Sequence, residues 1–293
     1  MRGGRVKINV ARNAGFCSGV KRAIDMALET AAVAKGRPVQ MLGHIVHNER
    51  VVEQIDRAGV KVIDSIEKAD PSGILLIRAH GTGPETYAEA KARGLEIVDA
   101  TCPLVKDIHE KVRELHEAGY PLVIIGDHGH DEVKGIAAQV PEAVVVSRPD
   151  EVATLGRHFR RVGVVVQSTQ NVDNVKAIVA ELISLCIEIH FVNTICYPTT
   201  KHQRDIRTMP LENDVMIVVG SFTSANTKRM TEISAGLNPR THQVTDVRDL
   251  RAEWFEGAET VGVHAGASTP DFVIGEVVEG IWALVGRSCE VAE

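Results

Sequence analysis

The chain has 293 residues, 44% of them hydrophobic and 25% charged, a length that allows a large buried core and a composition that predicts an ordered globular protein and not a disordered one. Its formal net charge of -6 argues against nucleic acid or an anionic membrane as the main partner, although local basic patches remain compatible with it. Five widely spaced cysteines, an odd number without a CxxC pair, argue against a disulfide framework and turn attention to metal or catalytic use.

In chain order, the basic start from Met1 to Val10 passes directly into a strand-like alternation with no apolar signal segment, and KINVARNAGFC reads as a strand leading to Cys17. Met41-Leu42-Gly43 closes a second strand ahead of a helix over Asn48 to Ala58. ILLIRAHG is a strand ending at His80 and Gly81, and LEIVDATC is one ending at Cys102. Leu122 to Ile125 is a strand followed by GDHGHDEVKG and a helix over Glu132 to Val140. VGVVVQST ends at Ser168 and Thr169, IHFVNTIC at Cys196, and VGVHAGAS at Ser268, with GSFTSANTKR from Gly220 between the last two. No stretch approaches the roughly 20 apolar residues of a membrane span. The most apolar late segment, Phe272 to Val285, is interrupted by Glu276 and Glu279, so a cytoplasmic protein is expected.

These elements form a repeat. Counting from Gly43, Gly126 and Gly220, the fourth following residue is His47, His130 and Ser224, and the sixth is Glu49, Glu132 and Asn226. The cysteines lie 85 and 94 residues apart and the glycines 83 and 94. The pattern predicts an α/β protein of three pseudo-symmetric modules, each a small, mostly parallel sheet flanked by helices, around a shared central site. The expected boundaries are 18–102, 103–196 and 197–293, the last module being completed by residues 1–17. All the landmarks fall beyond the carboxyl ends of strands, where open parallel sheets bind ligands.

One cysteine per module in the same register, each ahead of a helix start that favours a thiolate, suggests a three-thiolate site made of Cys17, Cys102 and Cys196. Three thiolates suit a four-iron cubane with one iron lacking a protein ligand, or a zinc ion with an open position, and only the former can deliver electrons. Cys186 and Cys289 fall outside the repeat and read as core filler and tail. His47, His80, His130, Ser224, Asn226 and Ser268 offer hydrogen-bond donors for a phosphate or diphosphate, although Ser, Asn and His after strands also serve as helix caps. Glu132 is a candidate general acid, but Asp127, His128 and Asp131 crowd the same loop and leave the assignment open on chemistry alone.

GFCSGVKRAI, HNERVV, RAHG, DATCPLV, GHDEVKG, NTICYPTTKHQ, SANTKRMTE and GASTPD, in this order over nearly the whole chain, resemble the 4-hydroxy-3-methylbut-2-enyl diphosphate reductase family of iron-sulfur enzymes. The resemblance implies one [4Fe-4S] cluster on Cys17, Cys102 and Cys196, with the substrate's C4 hydroxyl meeting its open iron. It implies a diphosphate held by His47, His80, His130, Ser224, Asn226 and Ser268. Glu132 would be the proton donor, with Ser168 and Thr199 organising the relay. Electrons would come from ferredoxin or flavodoxin, and the products would be isopentenyl and dimethylallyl diphosphate. The chain departs from the family pattern at Ala225, where a second serine is common, and at Ser168, where threonine is usual. It departs again at His202, where arginine is common, and in GHDE in place of GHPE. Two alternatives stay open on the sequence: a related cluster reductase of another allylic diphosphate, and a non-catalytic iron-sulfur sensor.

Overall fold

The protein is described by a computed structural model over residues 6–46, 48–156 and 158–285. Among these residues twelve strands occur: β1 (Lys7–Val10), β2 (Val39–Leu42), β3 (Val60–Ile63), β4 (Ile74–Ile77), β5 (Glu96–Asp99), β6 (Leu122–Ile125), β7 (Val144–Val146), β8 (Phe159–Val166), β9 (Cys186–Phe191), β10 (Val215–Val219), β11 (Thr241–Val244) and β12 (Thr260–Ala265). They form three four-stranded sheets, ordered β3-β2-β4-β5, β7-β6-β8-β9 and β1-β12-β10-β11, with every pairing parallel. The expected three-module α/β architecture is therefore present, and β1 takes the edge place that β5 and β9 take in the other sheets.

The strand sequences explain these positions. β4, β6 and β10 are unbroken Val, Ile, Leu and Met runs, and every residue in them is buried, as in parallel strands covered on both faces. The strands leading to the cysteines are edges and carry charge, as with Glu96 in β5 and Glu188 in β9, which discourages pairing with another chain. Apolar residues at helical spacing cover the sheets. In the helix Pro103–Glu117, for example, Val105, Ile108, Val112 and Leu115 are buried, and the last three pack in one cluster with Leu122, Ile124 and Val165. The helices expected over 48–58 and 132–140 are found as Glu49–Arg57 and Asp131–Ala137.

The residues separate into two compact units. One comprises 6–18, 48–51 and 197–285 and contains the β1-β12-β10-β11 sheet; the other comprises 19–46 and 52–196 and contains the other two. Cys186 opens β9 and packs beside the Val162, Val164 and Ile178 core, with Sγ 3.2 Å from the Leu182 carbonyl. Cys289 lies outside the described residues.

The turns after the strands repeat bond by bond. The amides of Gly43, Gly126 and Gly220 donate to the carbonyls of Ile63, Val146 and Val244 at 2.9, 3.0 and 2.8 Å. Gly220 has φ +150°, and a Cβ there would sit 2.6 Å from Thr227 Oγ1, so both conformation and space call for glycine.

Candidate active site

The three register-matched cysteines have the same backbone anchor. The amides of Cys17, Cys102 and Cys196 donate to the carbonyls of Ala267, Ala79 and Ser168 at 3.3, 3.0 and 3.0 Å, each in the turn after the neighbouring strand. A helix begins at the next residue in every case: Ser18–Val33, Pro103–Glu117 and Tyr197–Glu212. Each sulfur is therefore carried at a helix N-terminus, where the backbone dipole favours negative charge. Arg22 in the first of these helices donates to the Thr101 carbonyl at 3.2 Å and so braces the residue before Cys102. All three cysteines are half-buried and outside any disulfide. Cys102 and Cys196 belong to one unit and Cys17 to the other, and among the described residues no three His, Cys, Asp or Glu side chains are grouped so as to hold one metal ion.

Glu132 is the best-defined titratable group. It sits in the first turn of Asp131–Ala137 and is buried at 3% exposure. Its carboxylate accepts the Ser168 backbone N–H at 2.6 Å on one oxygen and pairs with the Ser168 hydroxyl at 2.8 Å on the other. Burial pushes its carboxyl up from the ordinary value; the two Ser168 bonds oppose this, and the nearby Asp127 charge adds to it. The adjacent Asp131 goes the other way. Burial raises it, but the charge and hydrogen bond of Arg78, whose Nη1 donates to Oδ2 at 2.7 Å, outweigh that and hold it below the usual carboxylate range. One turn of helix thus carries a carboxyl disposed to keep its proton beside one disposed to lose it, the separation that distinguishes acid from base.

The remaining loop candidates are occupied differently. Asp127 accepts from Gln170 Nε2 at 3.3 Å, while its amide donates to Gln167 Oε1 at 2.8 Å. His128 pairs with Glu151 at 2.8 Å and is largely exposed. Of the acidic residues in this loop, Glu132 is the buried one, while Asp127 and Asp131 are half-buried.

His130 caps the helix that carries Glu132, its Nδ1 accepting the Glu132 amide N–H at 3.2 Å. That bond leaves the ring proton on Nε2, which then acts as a donor. The His80 ring meets His130 edge to face, with centroids 5.6 Å apart. In the other unit, Ser224 is buried and caps Ala225–Leu237, its Oγ accepting the Thr227 amide at 3.3 Å, so its hydroxyl proton can still be donated elsewhere. Asn226 is half-buried, with Nδ2 3.5 Å from Met230 Sδ. Ser268 is half-buried in the turn after β12, and Thr199 is buried in the first turn of Tyr197–Glu212. Glu49 has a partner in Ser221, whose Oγ donates at 2.7 Å. His47 lies outside the described residues.

Several supporting residues were missed in the sequence. Gln167, fully buried, binds the Asp127 amide and donates to Thr169 Oγ1 at 2.9 Å, tying the Ser168 turn to the loop before Glu132. Its position just before Ser168 was the available signal, as Arg78 in RAHG was for Asp131. His202 and His264 form a second, buried imidazole pair with ring centroids 5.2 Å apart. Burial, aided by the His202 charge, lowers His264 to about 4, so it stays neutral near pH 7.

A family model described as LytB protein matches residues 8–282. The 4-hydroxy-3-methylbut-2-enyl diphosphate reductase of Geobacter metallireducens is 43% identical over 276 residues, 94% of this chain and 97% of the relative. That of Geobacter sulfurreducens is 42% identical over 276 residues, again 94% and 97%. Among solved structures, an (E)-4-hydroxy-3-methyl-but-2-enyl diphosphate reductase, described as the terminal enzyme of the non-mevalonate pathway, is 37% identical with a TM-score of 0.72 and covers 95% of this chain and 99% of its own. The E-1-hydroxy-2-methyl-but-2-enyl-4-diphosphate reductase of Plasmodium falciparum is 26% identical with a TM-score of 0.89 and covers 98% and 92%.

Proposed function

The chain belongs to the LytB protein family, and on that premise we propose that it is an iron-sulfur oxidoreductase converting (E)-4-hydroxy-3-methylbut-2-enyl diphosphate to isopentenyl and dimethylallyl diphosphate. The structural observation that carries the reading is the buried Glu132 carboxyl closed against both the amide and the hydroxyl of Ser168. Reductive dehydroxylation breaks the allylic C–O bond, and the leaving oxygen needs a proton to depart as water. Two electrons and a second proton then make the new C–H bond. A carboxyl disposed by burial to stay protonated is suited to the first of these proton transfers. When Glu132 carries its proton it can donate to Ser168 Oγ, which frees the serine hydroxyl hydrogen to point outward, so the pair can pass a proton on without moving the buried helix.

Cys17, Cys102 and Cys196 are the proposed ligands of a [4Fe-4S] cluster. The chemistry of the donor set suits that group: three thiols at helix N-termini, each with the same kind of backbone anchor, would supply three anionic ligands to it. Such a cluster supplies electrons one at a time and, at its open iron, a Lewis acid for the departing hydroxyl. His80, His130, Ser224, Asn226 and Ser268, with His47, are the proposed diphosphate donors, and Thr199 joins Ser168 in arranging the relay. His130 is suited to its part because its Nδ1 bond directs Nε2–H as a donor. Ferredoxin or flavodoxin is the proposed electron source. No helix of the described residues is long and apolar enough to cross a membrane, and a cytoplasmic location goes with this chemistry. The modules are proposed to divide at 102 and 196, with residues 1–17 joining the last.

A specific observation favours a second reading, in which the allylic diphosphate is a different one. Ala225 opens the helix that Ser224 caps and has no hydroxyl to offer, so one side-chain donor is absent from that turn. Steady-state comparison of several allylic diphosphate alcohols separates the two readings, since equal or better turnover of another alcohol selects the second. Glu132→Gln tests the main reading: viologen-driven turnover should collapse while the brown cluster absorbance persists. Unchanged turnover would remove Glu132 from the reaction.

A further inference from the structure

Two electrons per turnover need a source, and the sequence has neither a glycine-rich dinucleotide fingerprint nor a P-loop with which to bring a nucleotide cofactor of its own. The surface beside Cys17 points to the kind of source it accepts. A cleft of about 260 Å³ opens there, with Arg12, Phe16, Cys17, Tyr197, Lys201 and His202 in its wall. Among the described residues, none of the proposed diphosphate donors lines it. Tyr197, 69% exposed, directly follows Cys196, and Lys201 Nζ lies 4.6 Å over its ring. Arg12 is exposed and has no ion-pair partner among the described residues, and the same holds for Arg204, three positions after Lys201 on the same helix. The nearby carboxylate, Asp205, accepts from Asn13 Nδ2 at 2.8 Å and carries one negative charge against the three cations Arg12, Lys201 and Arg204, so the rim keeps a positive balance.

We propose that this rim, formed by Arg12, Lys201 and Arg204 around Tyr197, is the docking surface for an acidic electron-carrier protein, which delivers one electron per encounter through Tyr197 and the Cys17 wall. The inference rests on the reductase reading above. Charge decides the partner class: a chain of formal net charge -6 repels an acidic protein overall, so productive encounter requires a local cationic patch close to the redox centre. An exposed aromatic ring at the centre of the patch supplies contact area and a short path toward two of the proposed cluster ligands.

The test uses cluster-loaded protein with Arg12→Glu, Lys201→Glu and Arg204→Glu combined, and a reduced plant-type ferredoxin as probe. Ferredoxin binding, read by biolayer interferometry at low and high salt, should weaken about tenfold or more and lose its salt dependence, and KM for ferredoxin should rise in step. Turnover driven by reduced methyl viologen should stay within about twofold of the parent, since a small donor does not need the docking surface. Ferredoxin binding that survives the triple reversal overturns the proposal. So does a viologen rate that falls in parallel, because the three residues would then serve the cluster site itself. The triple alanine variant, milder for folding, should show a smaller loss of the same kind, and its indifference would count equally against the surface. If the parent protein turns over with neither donor, the reductase reading fails, while the binding measurement still decides the docking surface.

Discussion

Glu132 is the residue on which the proposed chemistry turns, and its burial has a consequence that can be measured without substrate. Its carboxyl is raised above the ordinary value of 4.5, so the folded state favours the proton. That contribution to stability is complete below the unfolded value and is lost as pH rises through the folded one. Glu132→Gln carries no such loss. The stability of the variant relative to the parent should therefore rise as pH increases above the unfolded value; a difference that does not change with pH would mean that folding does not raise the carboxyl. In turnover the same substitution should cost about 10²- to 10⁴-fold in kcat, the usual range for a general acid. Ser168→Thr keeps the hydroxyl and should keep activity within a few-fold, about the rotamer cost of a β-branched side chain. Ser168→Ala removes one of the two bonds that hold the carboxyl and should lower kcat by about tenfold or more. Equal rates for the two variants would exclude the serine hydroxyl from the relay. Sequence reasoning reached Glu132 and Ser168 but could not rank Glu132 against Asp127 and Asp131, because the ranking depends on burial and on Arg78, whose guanidinium comes from a different sheet.

At the scale of elements, the turns after the strands are where geometry is most constrained. Gly220 lies against Thr227, the first-turn residue whose amide Ser224 caps. Gly220→Ala should destabilise the protein by about 1–3 kcal/mol through overpacking and its positive φ. Thr227→Ala in the same chain should recover part of that by removing the nearest obstructing atom, and a purely additive double variant, by chemical denaturation, would show that the contact is not the cause. Ser224→Ala should cost about 1 kcal/mol as a lost cap. If Ser224 also serves the diphosphate, the substrate KM should rise as well, and a stability loss with unchanged KM would assign it to capping alone. These turns were legible from sequence because each repeats a glycine and a polar cluster at a fixed offset. Gln167, His202 and His264 were not, since nothing in local periodicity marks a polar side chain that is buried only when distant elements pack over it.

For the whole molecule, the spacing of landmarks was enough to predict three small, mostly parallel sheets and the joining of the N-terminal strand to the last of them, because strand, turn and cysteine recur as a unit; that β1 lies at the edge came only from the structure. Less legible was the grouping of residues 48–51 with the C-terminal part of the chain, which depends on non-local contacts such as Ser221 to Glu49 and Arg50 to Glu276. The central claim is that three cysteines from this repeat hold one redox cluster that reduces an allylic diphosphate alcohol. The most direct test is anaerobic titration of the cluster-reconstituted chain with reduced methyl viologen and (E)-4-hydroxy-3-methylbut-2-enyl diphosphate, following both viologen colour and products. The account predicts about two viologens oxidised per substrate, set by the two electrons of the reaction, with isopentenyl and dimethylallyl diphosphate formed. A colourless protein that binds zinc, or a brown one that leaves both viologen and substrate untouched, would contradict it.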